Sequence, residues 1–153
     1  TLSENRKRIK KDKLPKKFLK EKSNFIQKML PFNLTKSQEK VLKEINRDLF
    51  SKKRMFRIIQ GDVGSGKTIV SLLAISNVIE SGYQCALMGP TEILAKQHFE
   101  LAKKIFRATN FEIDFLTGKT ESKERKSAPG KLKCLNGLRI ARGVPLRNAA
   151  IRW

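Results

Sequence analysis

Residues 61–68 have the residue types and the spacing of a turn that binds phosphate. All fixed positions of the pattern G-x-x-x-x-G-K-[ST] are filled, by Gly61, Gly66, Lys67 and Thr68. The glycines allow positive φ and let backbone N–H groups approach an anion without a Cβ in the way. The lysine supplies a point charge for the β- and γ-phosphates, and the threonine hydroxyl is a ligand for Mg²⁺. The run therefore predicts a site for a nucleotide and Mg²⁺, formed by Gly61, Asp62, Val63, Gly64, Ser65, Gly66, Lys67 and Thr68.

The segments on either side of this turn must position it. Met55–Gln60 indicates a buried strand, and residues 69–81 indicate a helix that is apolar nearly all round and therefore buried on a sheet. A helix that begins near Gly66 directs its unpaired N–H groups and its positive dipole end at the anion. The alternative is a glycine-rich turn that binds nothing, and the flanking strand and helix count against it.

Other segments continue the alternation of strands and helices. Helical spacing predicts a helix over 34–50 and another over 92–107, the second capped by Thr91, while 84–88 and 111–116 predict strands. Strand–helix–strand–helix–strand predicts an α/β fold with an open parallel sheet of three strands, and places the phosphate-binding turn at the carboxyl ends of the strands.

Gln38 lies in the first turn of the predicted helix over 34–50. The run Thr35-Lys36-Ser37-Gln38 fits a capping box, in which Thr35 accepts from the third helical amide and the Gln38 side chain reaches back. From the spacing alone, capping is the preferred role of Gln38.

Positive charge is concentrated at the two ends of the chain. The formal net charge is +20; residues 1–30 hold 11 Lys and Arg against 3 Asp and Glu, and residues 119–153 hold 10 against 2. A nearly balanced centre with two basic arms is typical of a protein that binds a polyanion. The alternative is a pair of solvated arms that only keep the chain soluble.

The cysteines and the apolar runs of the sequence indicate in which cellular compartment the protein is expected. Cys85 and Cys134 show neither C-x-x-C spacing nor a histidine partner, which favours reduced thiols in the cytoplasm over a disulfide scaffold or a zinc site. The sequence contains no apolar run long enough for a signal peptide or a membrane span.

Composition divides the chain into three parts. Residues 1–30 predict a basic helical linker docked weakly on the domain, and residues 31–127 hold the α/β pattern. Residues 128–153 have no acids and no clear period, and we expect them to be disordered or poorly packed.

With these motifs in view, the chain resembles the RecG family of bacterial DNA helicases. The resemblance covers roughly residues 1–127 and rests on four runs: Leu30–Thr35 with Gln38, Gln60–Thr68, Ala86–His98 and Leu116–Arg125. It implies a partial RecA-like P-loop domain, the N-terminal part of a superfamily 2 motor that remodels branched DNA in recombination and repair. Its cofactors would be ATP and Mg²⁺, and its partner would be branched or single-stranded DNA.

The resemblance also implies roles for matched residues. Gln38 would read the adenine edge, so that capping and nucleotide contact are both open to it. Two segments would touch the DNA backbone, one formed by Pro90, Thr91 and Glu92 and the other by Thr117 and Gly118. His98 is expected to be an ordinary helix residue without chemistry.

The sequence also departs from the family pattern. The strand ending in Asp-Glu-x-His, whose Asp holds Mg²⁺ and whose Glu orients water, does not occur in it, so no catalytic set is complete. The pattern changes abruptly at Ala128, which indicates a truncated or frameshifted remnant. Three hypotheses follow: an ATP-binding fragment that does not hydrolyse ATP, to which another chain could supply the missing parts; a non-catalytic basic nucleic-acid-binding protein; or a gene remnant that does not fold.

Overall fold

The computed structural model describes residues 21–51, 55–116, 137–142 and 147–148. Four helices and four strands lie in these ranges. They follow the chain in the order α1 (Glu21–Met29), α2 (Lys36–Phe50), α3 (Lys67–Glu80), β1 (Tyr83–Met88), α4 (Glu92–Phe106), β2 (Phe111–Leu116), β3 (Gly137–Arg142) and β4 (Arg147–Asn148).

Helix α3 forms the centre of the core because its sequence is apolar nearly all round. Every residue from Val70 to Glu80 is buried, as expected of a helix covered by several elements at once. Helices α1 and α2 pack against it, and strands β1 and β3 do so as well. Ile26 from α1 and Ile45 from α2 are among the fully buried side chains, so both helices contribute to this core.

Helices α2 and α4 begin where the sequence predicts. At α2 the Thr35 hydroxyl accepts from the Gln38 N–H at 3.2 Å, while Gln38 Oε1 accepts from the Thr35 N–H at 2.9 Å. The capping box is therefore confirmed. At α4 the Thr91 hydroxyl accepts from the Leu94 N–H at 3.3 Å. Each cap satisfies backbone donors that have no partner inside their helix.

The sheet is mixed, with strand order β2-β3-β1-β4. Strand β3 pairs antiparallel with both β1 and β2, and β4 pairs parallel with β1. Strands β1 and β2 thus run parallel to each other, as predicted, but they are separated by β3. The prediction of an open parallel sheet is wrong in its pairing, because the prediction counted only local signals and a later segment occupies the position between the two strands.

Strand β3 comes from the part of the chain that composition predicts to be disordered. Ile140 lies opposite Cys85 on one side and Ile113 on the other, and its side chain is fully buried. The expectation of disorder over 128–153 is therefore wrong for Gly137–Arg142, which pairs with a strand on each side and places Ile140 in the core. The remaining residues of that part lie outside the described ranges, except Arg147–Asn148.

The predicted first strand, Met55–Gln60, forms no strand in the structure. Met55 and Ile59 pack against the core, but Phe56 and Ile58 are 81% and 85% exposed. A fully buried strand needs neighbours on both sides, and no described strand pairs with this segment. The prediction is wrong because strand formation depends on partners that a local pattern does not reveal.

The basic N-terminal part is described only from Glu21. Helix α1 contacts α3 and α4 through its buried face, while Phe25 and Met29 are exposed. The prediction for residues 1–20 lies outside the described residues. In the described part of the chain, none of the helices combines the length and the apolar character that a membrane span requires.

Candidate phosphate-binding site

The turn between Gln60 and α3 has the backbone that its glycines permit. Gly64 and Gly66 have φ of 81° and 78°, in the left-handed region that favours glycine, and Gly66 is the N-cap of α3. The Ser65 N–H donates to the Asp62 carbonyl at 3.2 Å, which closes the turn. Six of the eight predicted residues, 61–66, thus form one compact turn, and the other two, Lys67 and Thr68, begin the buried helix.

Lys67 folds back over this turn. Its ammonium donates to the Gly61 and Asp62 carbonyl oxygens, both at 2.6 Å, and lies 3.4 Å from the Ser65 hydroxyl. These acceptors are uncharged, and the ion pairs found among the described residues do not include Lys67. A positive charge is therefore held at the centre of the turn without a carboxylate to neutralise it.

Backbone donors lie next to that charge. Helix α3 makes its first backbone bonds from Ile69 and Val70 to the Gly66 carbonyl. In the described part of the chain, no acceptor pairs with the N–H groups of Gly66, Lys67 and Thr68, as expected for the first turn of a helix. Unpaired N–H groups, a helix N-terminus and an ammonium are the parts of an anion-binding site.

Gln38 connects helix α2 to the turn. Its Nε2 donates to the Ser65 carbonyl at 2.9 Å while its Oε1 caps α2. A Cβ on Gly66 would lie 2.4 Å from that Nε2, so a side chain at this point would displace the Gln38 amide. The capping role and a position beside the phosphate-binding turn are thus compatible.

Arg57 makes a contact that the sequence prediction missed. Its Nη1 lies 2.7 Å from Glu44 Oε2 and its Nη2 lies 2.8 Å from Asp48 Oδ2, so it joins the segment before the turn to α2. The hydrogen bond to Asp48 is the main cause that raises the pKa of the Arg57 guanidinium above its usual value. The signal was available, because Glu44 and Asp48 are four residues apart on one helix face and Arg57 interrupts an apolar run.

The residues predicted to touch DNA are only partly described. Pro90 and Thr91 lie exposed between β1 and α4, and Glu92 is the exposed first residue of α4; all three are on a different segment from the phosphate-binding turn. Thr117 and Gly118 lie outside the described residues. Gly89 is needed just before this segment, since a Cβ there would meet the Ala95 backbone nitrogen at 2.8 Å.

His98 is half-buried on α4, and burial lowers the pKa of its imidazole below the ordinary value of 6.5. Among the described residues, no group of three or more His, Cys, Asp or Glu side chains is placed to hold a metal ion.

A glycine turn with an uncompensated lysine at the mouth of a buried helix defines the class of P-loop nucleotide-binding proteins. The family of DEAD/DEAH box helicases matches residues 35–145. The chain therefore belongs to the DEAD/DEAH box helicase family. The match continues past Ala128, where the resemblance by sequence motif ended.

Known relatives narrow this family to RecG. The ATP-dependent DNA helicase RecG of Aquifex aeolicus is 46% identical over 122 residues, which cover 78% of this chain and 15% of the relative. That of Bacillus subtilis is 46% identical over 115 residues, 72% of this chain and 17% of the relative. A solved structure of RecG bound to a three-way DNA junction matches with a TM-score of 0.72 and 32% identity, over 98% of this chain and 19% of that one. The resemblance to RecG is confirmed, and the chain corresponds to the N-terminal part of the motor domain.

The chain is much shorter than these relatives. It spans 12% to 17% of the length of curated RecG proteins from several bacteria. The activity, substrates and partners of a whole helicase are therefore only proposed for this chain.

Proposed function

We propose that this chain binds ATP with Mg²⁺ at residues 61–68, as the ATP-binding part of a RecG-like helicase that acts on branched DNA in recombination and repair. The Lys67 ammonium carries the proposal, because it is bonded only to uncharged oxygens at 2.6 Å and keeps its full charge for a phosphate. Phosphate oxygens are stronger acceptors than carbonyl oxygens for such a cation. The cytoplasm, where ATP is available and thiols stay reduced, is the expected compartment.

Three side chains would have separate roles in this site. Lys67 would bind the β- and γ-phosphates, Thr68 would place its hydroxyl on Mg²⁺, and Gln38 would donate or accept at the adenine edge. Bound Mg²⁺ would supply charge neutralisation on the phosphates. Thr68 suits this role, since its hydroxyl makes no hydrogen bond to another described residue and lies in the first turn of α3.

Binding would not be accompanied by hydrolysis at a useful rate. The sequence contains no Asp-Glu-x-His run to hold Mg²⁺ and orient water. An arginine finger, normally contributed from elsewhere in such motors, is worth about 10³–10⁵ in rate. Robust DNA-stimulated ATPase activity of the purified chain, abolished by Lys67→Ala, would contradict this part of the proposal.

Thermal unfolding with and without Mg-ATP tests the site. A ligand at about 100 times its Kd adds roughly 2.7 kcal/mol to the free energy of unfolding, so the Tm should rise measurably. Lys67→Ala should abolish the rise. Lys43→Ala is the matched control, because Lys43 is 79% exposed on α2 and away from the turn. A cooperative transition would also contradict the hypothesis of an unfolded remnant, whereas a Tm that ignores ATP would contradict the nucleotide site.

Charge favours a second function, binding to nucleic acid. The net charge is +20, and the structural relative was solved with a three-way DNA junction. We propose contacts to the DNA backbone through the basic segments, with Pro90, Thr91 and Glu92 as a further contact and Thr117 and Gly118 as another. If about six phosphates are neutralised, log K should fall with log[salt] at a slope near −5. In such a salt titration, a three-way DNA junction should bind the Lys67→Ala variant and the unchanged chain with equal affinity. An affinity that does not change with salt would contradict the proposal.

A further inference from the structure

Arg57 joins the segment before the phosphate-binding turn to α2 through two carboxylates. Its Nε donates to Asp48 Oδ2 at 2.8 Å, and its Nη1 donates to Glu44 Oε2 at 2.7 Å. All three side chains are about one-third exposed, between 31% and 37%. A planar guanidinium that holds two carboxylates in a fixed geometry is more specific than an exposed surface ion pair.

The contact lies at a particular place in the site. Arg57 is four residues before Gly61, at the start of the segment that enters the phosphate-binding turn. Its two acceptors lie in the C-terminal half of α2, whereas Gln38 lies in the first turn of the same helix. Helix α2 is therefore attached to the turn-bearing segment at two points: through Gln38 to the Ser65 carbonyl at 2.9 Å, and through Arg57.

Buried side chains of α2 already hold that helix on α3, whereas Met55–Gln60 pairs with none of the described strands. The ion pairs with Glu44 and Asp48 therefore restrain the segment that leads into the turn, and they fix it against α2. Without them, the segment and the turn could shift relative to the Gln38 amide. Small misplacements of a contacting group are costly in a binding site.

We infer that Arg57 is a positioning residue that holds Gln38 in register with the phosphate-binding turn and so sets the discrimination for adenine. The inference rests on the proposed function of Gln38 at the adenine edge. Arg57 itself does not contact the turn; it acts through α2. Lysine would replace it poorly, because an ammonium cannot span two carboxylates with a fixed fork.

Nucleotide selectivity shows whether Arg57 positions Gln38 or only stabilises the fold. Kd values of the full chain would be measured for Mg-ATP, Mg-GTP and inorganic tripolyphosphate. Arg57→Gln should lower the preference for ATP over GTP by roughly fivefold, the value of one ordinary hydrogen bond, and leave the tripolyphosphate Kd within about twofold. Lys43→Gln is the matched control, since it removes one positive charge from an exposed α2 ion pair with Glu39 and should change neither quantity.

Side-chain NMR of Gln38 tests the same inference without any nucleotide. The Gln38 amide protons, assigned by their loss in Gln38→Glu, should differ from those of an exposed glutamine. Arg57→Gln should move them to the exposed position, Arg57→Lys should move them part of the way, and Lys43→Gln should leave them unchanged. Glu44→Gln is a milder variant that keeps Asp48, for use if Arg57→Gln unfolds.

Each outcome has a distinct meaning. Unchanged Gln38 signals and unchanged selectivity in Arg57→Gln would overturn the inference, as would an equal loss of ATP and tripolyphosphate affinity. If the unchanged chain binds neither nucleotide nor tripolyphosphate, the proposed function is contradicted, and the Gln38 signals alone decide whether Arg57 holds Gln38 in register with the turn.

Discussion

Lys67 has one set of partners in the structure and would have another in the proposed site. In the structure its ammonium is bonded to two carbonyl oxygens of its own turn, Gly61 and Asp62. Those bonds keep the cation inside the turn, where it would be in place for the phosphate of the proposed function. Binding would exchange the same bonds for phosphate contacts, and the exchange would be favourable because charged acceptors form bonds roughly twice as strong as neutral ones.

Gly64 and Gly66 share a left-handed backbone but differ in what a side chain would meet. Gly64 and Gly66 have nearly equal φ, 81° and 78°, so alanine at either costs about 1–2 kcal/mol in backbone strain. Only at Gly66 would the new Cβ meet Gln38 Nε2, at 2.4 Å, while at Gly64 it meets nothing within 4 Å. We expect Gly66→Ala to lower the free energy of unfolding by about 1 kcal/mol more than Gly64→Ala, because the Gln38 hydrogen bond is lost. Urea denaturation measures the difference.

The two glycine variants also provide their own control. In a Gln38→Ala background the clash disappears, and Gly66→Ala and Gly64→Ala should then cost the same. An excess cost of Gly66→Ala that persists without the Gln38 side chain would show that Gln38 is not the obstacle.

His98 gives the chain a dependence on pH near neutrality. Burial lowers its pKa in the folded state below the ordinary 6.5, so below pH 6.5 the unfolded chain binds a proton that the folded chain does not. The contribution to stability is complete above pH 6.5 and is lost as the pH falls through the folded pKa. Urea midpoints at pH 7.5, 6.5 and 5.5 should decrease in that order. Since His98 is the only histidine, His98→Gln should flatten the trend, and an unchanged trend would assign it to other groups.

The junction between β1 and α4 depends on the close approach of two backbones. A Cβ on Gly89 would lie 2.8 Å from the Ala95 nitrogen and 3.1 Å from its Cα. Backbone atoms of a helix cannot yield as a flexible side chain can, so we expect Gly89→Ala to cost about 1–3 kcal/mol of unfolding free energy. Ala95→Gly in the same chain removes only the contact with the side chain, at 3.2 Å, and should not restore stability. Full recovery in a double-mutant cycle would contradict the backbone clash.

Elements with local signals were predictable from the sequence, and elements that depend on distant partners were not. Thr35 and Thr91 mark the starts of their helices in the sequence, because each threonine side chain accepts from a backbone N–H only three residues further on. The phosphate-binding turn is equally local, since its glycines and Lys67 act on their own backbone. Met55–Gln60 has a strand-like composition, yet a strand exists only where a neighbour pairs with it.

The same reasoning explains which parts of the candidate site were missed. Gln38 could be placed at a helix N-terminus from spacing, but its hydrogen bond to the Ser65 carbonyl joins residues 27 apart in the chain. Arg57 and its two carboxylates are 9 and 13 residues apart. Neither separation leaves a periodic trace in the sequence. The spacing of Glu44 and Asp48 indicates an acidic helix face, but only the packing of α2 against the turn-bearing segment shows that Arg57 is its partner.

At the scale of the whole molecule, the sheet is completed by β3, a strand that the sequence pattern does not predict. Strand β3 pairs with β1 along one edge and with β2 along the other, so β1 and β2 do not pair with each other. Ile140 is the side chain by which β3 joins the core that α3 organises. The stability of the described fold therefore depends on residues far from the phosphate-binding turn.

Replacing Ile140 by alanine tests that dependence. Ile140 is fully buried, and loss of a buried isoleucine to alanine costs about 2–5 kcal/mol because a cavity replaces its methyl and methylene groups. Ile58→Ala is the matched control: the same residue type, 85% exposed, should change the free energy of unfolding by no more than about 0.5 kcal/mol. Urea denaturation of the three chains measures both. Equal effects would mean that β3 does not belong to the cooperative core. A large loss at Ile58 alone would mean that Met55–Gln60 is packed in solution, and that it forms the strand its sequence predicts.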